Sequence, residues 1–347
     1  MTRSTSGQMA PPATTAKLMG GMSMTVGSLP HRSLSEAVGV ALAASDILTL
    51  PTLPRRSPAE SMIAQALIGL PGVTVGQYGS MAVDASSIRA TEAVRTDLRH
   101  DAFAGFRAVL AAAAEAGGCS TVKWQFVGPI TLGLALQRAG VPSATAFDIA
   151  MRSVRGHVTN LLAAVDAAVP GVEQIVVLDE PEWGTLFENG FPLAPDVAID
   201  LLSGVLAVIE PVAMAGVHCC GEADLQSLMA AGPSLISLPA KLSLVEQAGH
   251  VQRFLENGRW IAWGAVATDG PVPITAERPW KHLCDLWCQL VQRGCSPAQL
   301  RQQSLITPEC GLGLHHPSVA ERVLRINAEL SSRVRDQATA TRFSFGA

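Results

Sequence analysis

The sequence has few charged residues and no cluster of lysine and arginine. Charged residues make up 16% of the 347 residues, and the formal net charge is -4. Binding to nucleic acid depends on clustered basic side chains that neutralise phosphates, so this composition argues against a nucleic-acid partner. Hydrophobic residues reach 48%, which is typical of a chain that buries a large core. We therefore expect a protein that acts on small molecules.

Long apolar runs and secretion signals are also missing. No run approaches the roughly 18 apolar residues of a membrane span, and residues 1–17 lack the apolar segment of a signal peptide. The cysteines number seven and are widely scattered, unlike the dense, even set of a secreted disulfide framework. These absences predict a cytoplasmic protein without a membrane partner, in which selected cysteines bind metal or take part in chemistry.

Apolar runs alternate regularly with helical patterns along the chain. The predicted strands are 22–28, 46–52, 120–127, 173–179, 212–218, 234–238, 260–266 and 303–306. The predicted helices are 33–45, 58–69, 86–117, 145–168, 195–208, 222–230, 243–256, 276–293 and 317–335. Ser33 and Thr275 are the expected N-caps of two of these helices.

Eight strands, each followed by a helix, predict an α/β fold: a single (β/α)8 TIM-type barrel with a helical insert at 53–119, after the second strand. The alternative is a doubly wound sheet, which would carry a glycine-rich phosphate loop after the first strand. The chain reads GSLPH at 27–31 instead, which favours the barrel. We expect a disordered tail at 1–20, one catalytic barrel at 21–338 and a C-terminal tail at 339–347.

The fifth predicted strand runs into VHCCG at 217–221, and the eighth is followed by TPECGLG at 307–313. Successive side chains of an extended segment point to opposite faces, so His218 and Cys220 project together while Cys219 points away. Both strands open onto the face of a barrel where active sites lie. One histidine and two cysteines form a known catalytic zinc set, which predicts Zn²⁺ on His218, Cys220 and Cys310.

Other interpretations of the cysteines stay open. Buried free cysteines are common, and an isolated H-C-C is more often part of a core than a ligand set. Cys284 and Cys288 form a rival pair, one helical turn apart among leucines and a tryptophan. That setting favours packing. Cys119 and Cys295 lie near the ends of predicted helices and belong to no metal-binding or catalytic motif.

The motifs resemble those of a known family. The matching segments are TVGSLP at 25–30, GPITL at 128–132, LDEP at 178–181, VHCCG at 217–221 and TPECGLG at 307–313. Together they resemble the C-terminal catalytic barrel of cobalamin-independent methionine synthase, within the uroporphyrinogen decarboxylase-like methyltransferase superfamily. The resemblance covers about residues 22–335, in the family's order. It implies a short, single-barrel form.

The resemblance implies roles for particular residues. It gives His218, Cys220 and Cys310 to zinc, Asp179 to the amino group of a thiol substrate, and Gly27 with Ser28 to the substrate's carboxylate end. Glu180, the second acid of the D-E-P motif, is a further expected substrate contact. Two local alternatives remain, since a D-E-P turn can cap a helix and a G-S-x-P turn has conformational uses.

The sequence departs from the family at two points that concern the substrate. The family adds a glutamate to the zinc from the sixth strand, where this chain reads ISLPAK at 236–241. An acid expected after the second strand is replaced by Arg55 and Arg56. Arginine pairs with carboxylate or phosphate, so a small anionic thiol is one hypothesis for the acceptor. Solvated loop charges are the alternative.

The expected function is zinc-dependent transfer of a methyl group to a thiol, either homocysteine or another small thiol. The expected donors are methylcobalamin, a corrinoid carrier protein or methyl-tetrahydrofolate. Two alternatives come from other classes. One is a decarboxylase of the uroporphyrinogen type, which shares the barrel, and the other is a non-catalytic zinc protein that docks a methyl-carrier protein.

Overall fold

The fold is built on a curled, parallel β-sheet of seven strands. The computed structural model describes residues 18–76, 81–84 and 94–344. Its strands are β1 Leu48–Thr49, β2 Val73–Val75, β3 Met81–Val83, β4 Thr121–Val127, β5 Glu173–Asp179, β6 Met214–His218, β7 Leu235–Pro239, β8 Trp260–Val266 and β9 Ser304–Pro308. The sheet runs in the order β1-β4-β5-β6-β7-β8-β9, and β2 pairs with β3 in a separate antiparallel hairpin. All carboxyl ends of the seven parallel strands therefore lie along one edge.

Helices follow most of these strands. They are α1 Leu34–Ala43, α2 Met62–Ala66, α3 Ala104–Ala116, α4 Pro129–Arg138, α5 Ser143–Ala168, α6 Pro195–Ile209, α7 Leu225–Ala230, α8 Ala248–Glu256, α9 Glu277–Gln292, α10 Pro297–Gln302 and α11 Pro317–Ser344. Short 3₁₀ helices occupy Pro58–Glu60, Asp101–Phe103, Pro181–Thr185 and Leu242–Gln247. Among the described residues, no helix combines the length and apolar character needed to cross a membrane.

The segment at 21–29 joins the two ends of the sheet. Met24 N donates to Ile306 O of β9 at 2.9 Å, and Ile47 N, just before β1, donates to Ser23 O at 3.0 Å. A second parallel bridge links Ser28 to Thr52. The predicted first strand, 22–28, is thus present as isolated bridges. The expectation of an eight-stranded barrel is met in part, as a seven-stranded parallel sheet whose two ends both bond to this segment.

Other expectations need correction. The insert after β1 is not wholly helical, because it contains the β2–β3 hairpin. Residues 86–93 of the predicted helix 86–117 lie outside the described part. Ser33 caps α1 as predicted, but α9 begins at Glu277 with Ala276 before it, so Thr275 is not its cap. The helices α4 and α10 were not predicted. The last helix continues to Ser344, into the segment 339–347 that was predicted as a C-terminal tail. Residues 1–17 of the predicted N-terminal tail lie outside the described residues.

Side-chain alternation along the strands divides the core in two. In β5, Val176 and Leu178 pack between sheet and helices, whereas Ile175 and Val177 belong to a second cluster on the concave side of the sheet. That second cluster comprises Met24, Ile47, Ile175, Val177, Met214, Leu235, Trp260, Ala262 and Leu305. The next inward residue of β5 is Asp179, which ends the strand. The concave side is therefore apolar along most strands, and it is polar on β4, where Lys123 is the register partner of Ile175, and at its carboxyl edge.

Candidate metal centre

His218 is the last residue of β6 and is held by its neighbours on both sides. Asp179 of β5 and Ser237 of β7 are its register partners. The ring is buried, and its Nδ1 lies 3.0 Å from the hydroxyl of Ser237. The other nitrogen, Nε2, is buried without a hydrogen-bond partner among the described residues. A buried polar atom without a partner costs about 1–3 kcal/mol, so Nε2 is the atom that a ligand would satisfy.

The two cysteines after His218 diverge as alternation predicts. Cys219 is fully buried in the core between sheet and helices, and its thiol faces the carbonyl of Pro181. Cys220 is half-buried and takes part in the cluster with His218. Burial raises the pKa of Cys219 to about 11. Cys219 therefore has a packing role, and Cys220 is the cysteine that shares a face with the histidine.

Cys310 completes the cluster from the turn after β9. Single ligand atoms of His218, Cys220 and Cys310 lie within 4.8 Å of one another. In a tetrahedral site with Zn–S bonds of about 2.3 Å, neighbouring ligand atoms are separated by about 3.5–3.8 Å. The observed spacing needs only small side-chain adjustments to reach that geometry. The donor set, one imidazole and two thiols, fits zinc, and a tetrahedral ion held by three protein ligands would have a fourth position free.

The two thiols of the cluster interact directly. A hydrogen bond from Cys310 lowers the pKa of Cys220, and the same contact raises the pKa of Cys310. His218 acts in the opposite direction on Cys310, favouring its thiolate. The cluster thus stabilises negative charge on sulfur at Cys220, which is the form in which cysteine binds a metal.

Asp179 lies beside His218 at the same edge. It is buried, and its Oδ1 has no hydrogen-bond partner among the described residues. Below it is Lys123, a buried cation whose Nζ donates to Val26 O and to Gln125 Oε1. Burial raises the pKa of Asp179, and the charge of Lys123 opposes that shift. The arrangement leaves a buried acceptor next to the metal cluster, and the role of Asp179 in substrate binding stays a prediction.

Glu180, which the sequence analysis placed among the substrate contacts, makes its observed contacts with a helix. Its carboxylate is fully buried and accepts hydrogen bonds from Ile130 N at 2.9 Å, Thr131 N at 2.8 Å and Thr131 Oγ1 at 2.6 Å. These donors form the first turn of α4. Burial raises the pKa of Glu180 to about 7, and the three hydrogen bonds act against that shift. Glu180 fixes the helix after β4, which is a structural role.

Gly27 and Ser28 connect the first segment to the rest of the site. A Cβ at Gly27 would come within 2.6 Å of the Gln125 side chain, and its φ of +145° disfavours other residues. The Ser28 hydroxyl accepts a hydrogen bond from Gly313 N at 3.0 Å, in the turn that carries Cys310. The contacts made by Ser28 therefore hold the cysteine turn, while the predicted contact with a substrate carboxylate stays a prediction.

Arg55 and Arg56 are engaged elsewhere. Arg56 bonds to Glu60 at 2.6 Å and to Asp101 at 2.7 Å, and the Glu60 side chain is fully buried. Arg55 is exposed and donates to Leu314 O at 2.7 Å. Arg56 therefore anchors the insert after β1. Because its guanidinium is already paired with Glu60 and Asp101, it is not free to bind an anionic substrate as the hypothesis about the two arginines requires.

The remaining cysteines lie outside the cluster. Cys288 is exposed on α9, so its predicted packing role is wrong, whereas Cys284 is half-buried. Cys295 is buried and donates to Ala248 O, and Cys119 is half-buried. Within the described ranges, His218, Cys220 and Cys310 are the single group of three histidine, cysteine or acidic side chains close enough to hold a metal ion.

Three buried polar residues were not singled out from the sequence. Ser237 contacts His218 through strand register, for which a single sequence carries no signal. Lys123 lies between Thr121 and Gln125 on the inward face of β4, and this alternation of polar and apolar residues is a sequence signal for it. His31 is also buried, and its Nδ1 is without a partner among the described residues.

No protein-family model matches the chain, and no curated protein matches it. Among solved structures, the chain is similar to one described as "Structure of two fungal beta-1,4-galactanases", with 13% identity and a TM-score of 0.31, covering 62% of this chain and 90% of that chain. A likeness at this level carries no argument about function. The resemblance to the methionine synthase barrel rests on the sequence motifs alone.

Proposed function

We propose that this chain is a zinc-dependent methyltransferase that transfers a methyl group to a small thiol at the carboxyl edge of a (β/α)8 barrel. The observation that carries the proposal is the convergence of three ligand atoms, from His218, Cys220 and Cys310, within 4.8 Å at one edge of the sheet. The buried, unpartnered Nε2 of His218 supports a ligand there. The choice of thiol methylation as the reaction at this cluster rests on the resemblance of the sequence motifs to the methionine synthase barrel.

The chain's own residues account for the rest of the chemistry. Bound zinc would supply the charge that converts a coordinated thiol to its nucleophilic thiolate form. Asp179 offers a buried carboxylate oxygen that suits the ammonium group of an amino-thiol such as homocysteine. Glu180 and Ser28 hold α4 and the Cys310 turn, so they keep the walls of the site in place. The methyl donor is proposed to be methylcobalamin, free or on a corrinoid protein, or methyl-tetrahydrofolate.

Metal analysis of purified protein and of ligand variants tests the proposal. We expect one zinc per chain in the wild type and in the control variants Cys219→Ala and Cys288→Ser. We expect its loss in His218→Ala, Cys220→Ser and Cys310→Ser. Zinc-loaded protein is then incubated with methylcobalamin or methyl-tetrahydrofolate and a panel of thiols, and methylated products are measured by mass spectrometry.

The outcomes separate the classes of function. Methyl transfer that disappears with the three ligand variants supports the proposal. Zinc binding without transfer to any thiol would favour a non-catalytic partner of a methyl carrier. A wild type that binds no zinc, or ligand variants that keep it, would overturn the metal centre and leave the decarboxylase class open.

A further inference from the structure

The strand β7 meets the metal cluster through a hydroxyl group. Ser237 is 2% exposed, it is the register partner of His218, and its Oγ lies 3.0 Å from His218 Nδ1. The backbone of Ser237 is fixed as well, because its carbonyl accepts a hydrogen bond from Cys219 N at 3.0 Å. No other hydrogen bond to Nδ1 of this ring occurs in the described part of the chain. The Ser237 hydroxyl is therefore the contact that orients the imidazole.

That contact decides which ring nitrogen faces the cysteines. A neutral imidazole carries a proton on one nitrogen and offers the other to a metal, and the hydrogen bond made by the first selects the second. Here Nδ1 is occupied by the hydroxyl, and Nε2 is buried without a partner. Nε2 is also the nitrogen left to contribute to the cluster with Cys220 and Cys310.

We propose that Ser237 is a positioning residue of the metal centre: its hydroxyl accepts a hydrogen bond from His218 Nδ1–H and so fixes Nε2 as the metal ligand. The inference rests on the proposed metal centre and adds the residue that presents its histidine. It also assigns the role of β7, the strand at which the sequence departs from a four-ligand site. This strand supports a ligand and supplies none, so the fourth position stays open for a thiol.

Zinc affinity of two Ser237 variants is the first test. Loss of a partner that orients a metal-binding histidine weakens metal binding by about 10–100-fold, which we expect for Ser237→Ala. Ser237→Thr keeps a hydroxyl and should restore affinity to within about threefold of the wild type. Affinities are measured by competition with a chromophoric chelator. Ser234→Ala is the matched control, because Ser234 is a buried serine just before β7 and outside the cluster.

The second test measures which nitrogen of the His218 ring carries the proton. In metal-free protein labelled with ¹⁵N histidine, we expect His218 to carry its proton on Nδ1 in the wild type and in Ser237→Thr. In Ser237→Ala we expect the proton to shift toward Nε2. A role limited to folding would leave the tautomer unchanged. Because no metal or methyl donor is needed, this measurement judges Ser237 even where methyl transfer fails.

Two results would overturn the proposal. One is wild-type zinc affinity in folded Ser237→Ala. The other is a proton on Nε2 in the wild type. If Ser237→Ala does not fold, the wild-type tautomer and the affinity of Ser237→Thr still decide the question.

Discussion

Cys219 and Cys220 are adjacent in the chain and occupy opposite environments. Cys219 is 0% exposed in the core between sheet and helices, whereas Cys220 is half-buried beside Cys310. The divergence follows from extended backbone after β6, in which successive side chains leave on opposite faces. A pair of identical residues thus serves two purposes, packing for the first and the cluster for the second.

Thiol reactivity should separate these two cysteines. Burial raises the pKa of Cys219 to about 11, and the hydrogen bond from Cys310 lowers the pKa of Cys220. In metal-free protein at pH 8 we expect iodoacetamide to modify Cys220 at least about 100-fold faster than Cys219, because only an exposed thiolate reacts. Peptide mass spectrometry over time measures both rates. Equal rates would contradict the assignment, and added zinc should protect Cys220 while leaving exposed Cys288 reactive.

Glu180 should matter for stability. Its two carboxylate oxygens accept three hydrogen bonds from the first turn of α4. Glu180→Gln places an amide NH₂ against at least one of these donors, so we expect the free energy of unfolding to fall by about 1–3 kcal/mol. The matched control is Glu182→Gln, two residues on, where the carboxylate is 22% exposed and pairs with an exposed Arg138. That change should cost less than about 1 kcal/mol. Urea denaturation compares the two, and equal losses would argue against the buried cap.

The long buried strands of the fold could be predicted from sequence. The bounds of β5 and β8 match the predicted 173–179 and 260–266, because both are apolar runs bounded by turn residues. The helix α4 was missed because PITLGLALQR is short and mostly apolar, with seven of its ten residues buried, and a short apolar run cannot be assigned to helix or strand by periodicity alone. The β2–β3 hairpin was missed because each strand has only three residues.

In the site, too, residues placed by local sequence pattern could be predicted, and a residue placed by contact between distant strands could not. Alternation within one strand selected His218 and Cys220, and it also separates inward Asp179 from outward Glu180, although the D-E-P motif suggested both as substrate contacts. Ser237 could not be found in this way. Its contact with His218 depends on the register between two strands that are distant in the chain, which the sequence of either strand does not specify.

Arg56 should also affect stability, and it should leave substrate preference unchanged. Its guanidinium bonds to Glu60, whose side chain is 0% exposed. Arg56→Ala leaves a buried carboxylate without its cation, and we expect a loss of about 3 kcal/mol in the free energy of unfolding. Arg55→Ala, at an exposed neighbour, should stay within about 0.5 kcal/mol.

The relative affinity for homocysteine and for mercaptoethanesulfonate, measured by calorimetry, tests the earlier hypothesis about the arginines. We expect the ratio to be the same in Arg56→Ala as in the wild type. A folded Arg56→Ala that loses preference for the anionic thiol would restore that hypothesis.

Asp179 offers the sharpest test of the substrate class. Its buried Oδ1 is unpartnered among the described residues and lies on the strand next to His218, so it suits an ammonium group close to a metal-bound thiol. A hydrogen bond to a charged group contributes about 1.5–3 kcal/mol, so Asp179→Asn should weaken homocysteine binding by roughly 10–100-fold. Binding of 4-mercaptobutyrate, which lacks the amino group, should change less than about threefold. Zinc content should be unchanged, because Asp179 is not one of the three ligands. Equal weakening of both thiols, in a variant that keeps its zinc and its fold, would mean that Asp179 acts through the buried charge of Lys123 and does not contact the substrate.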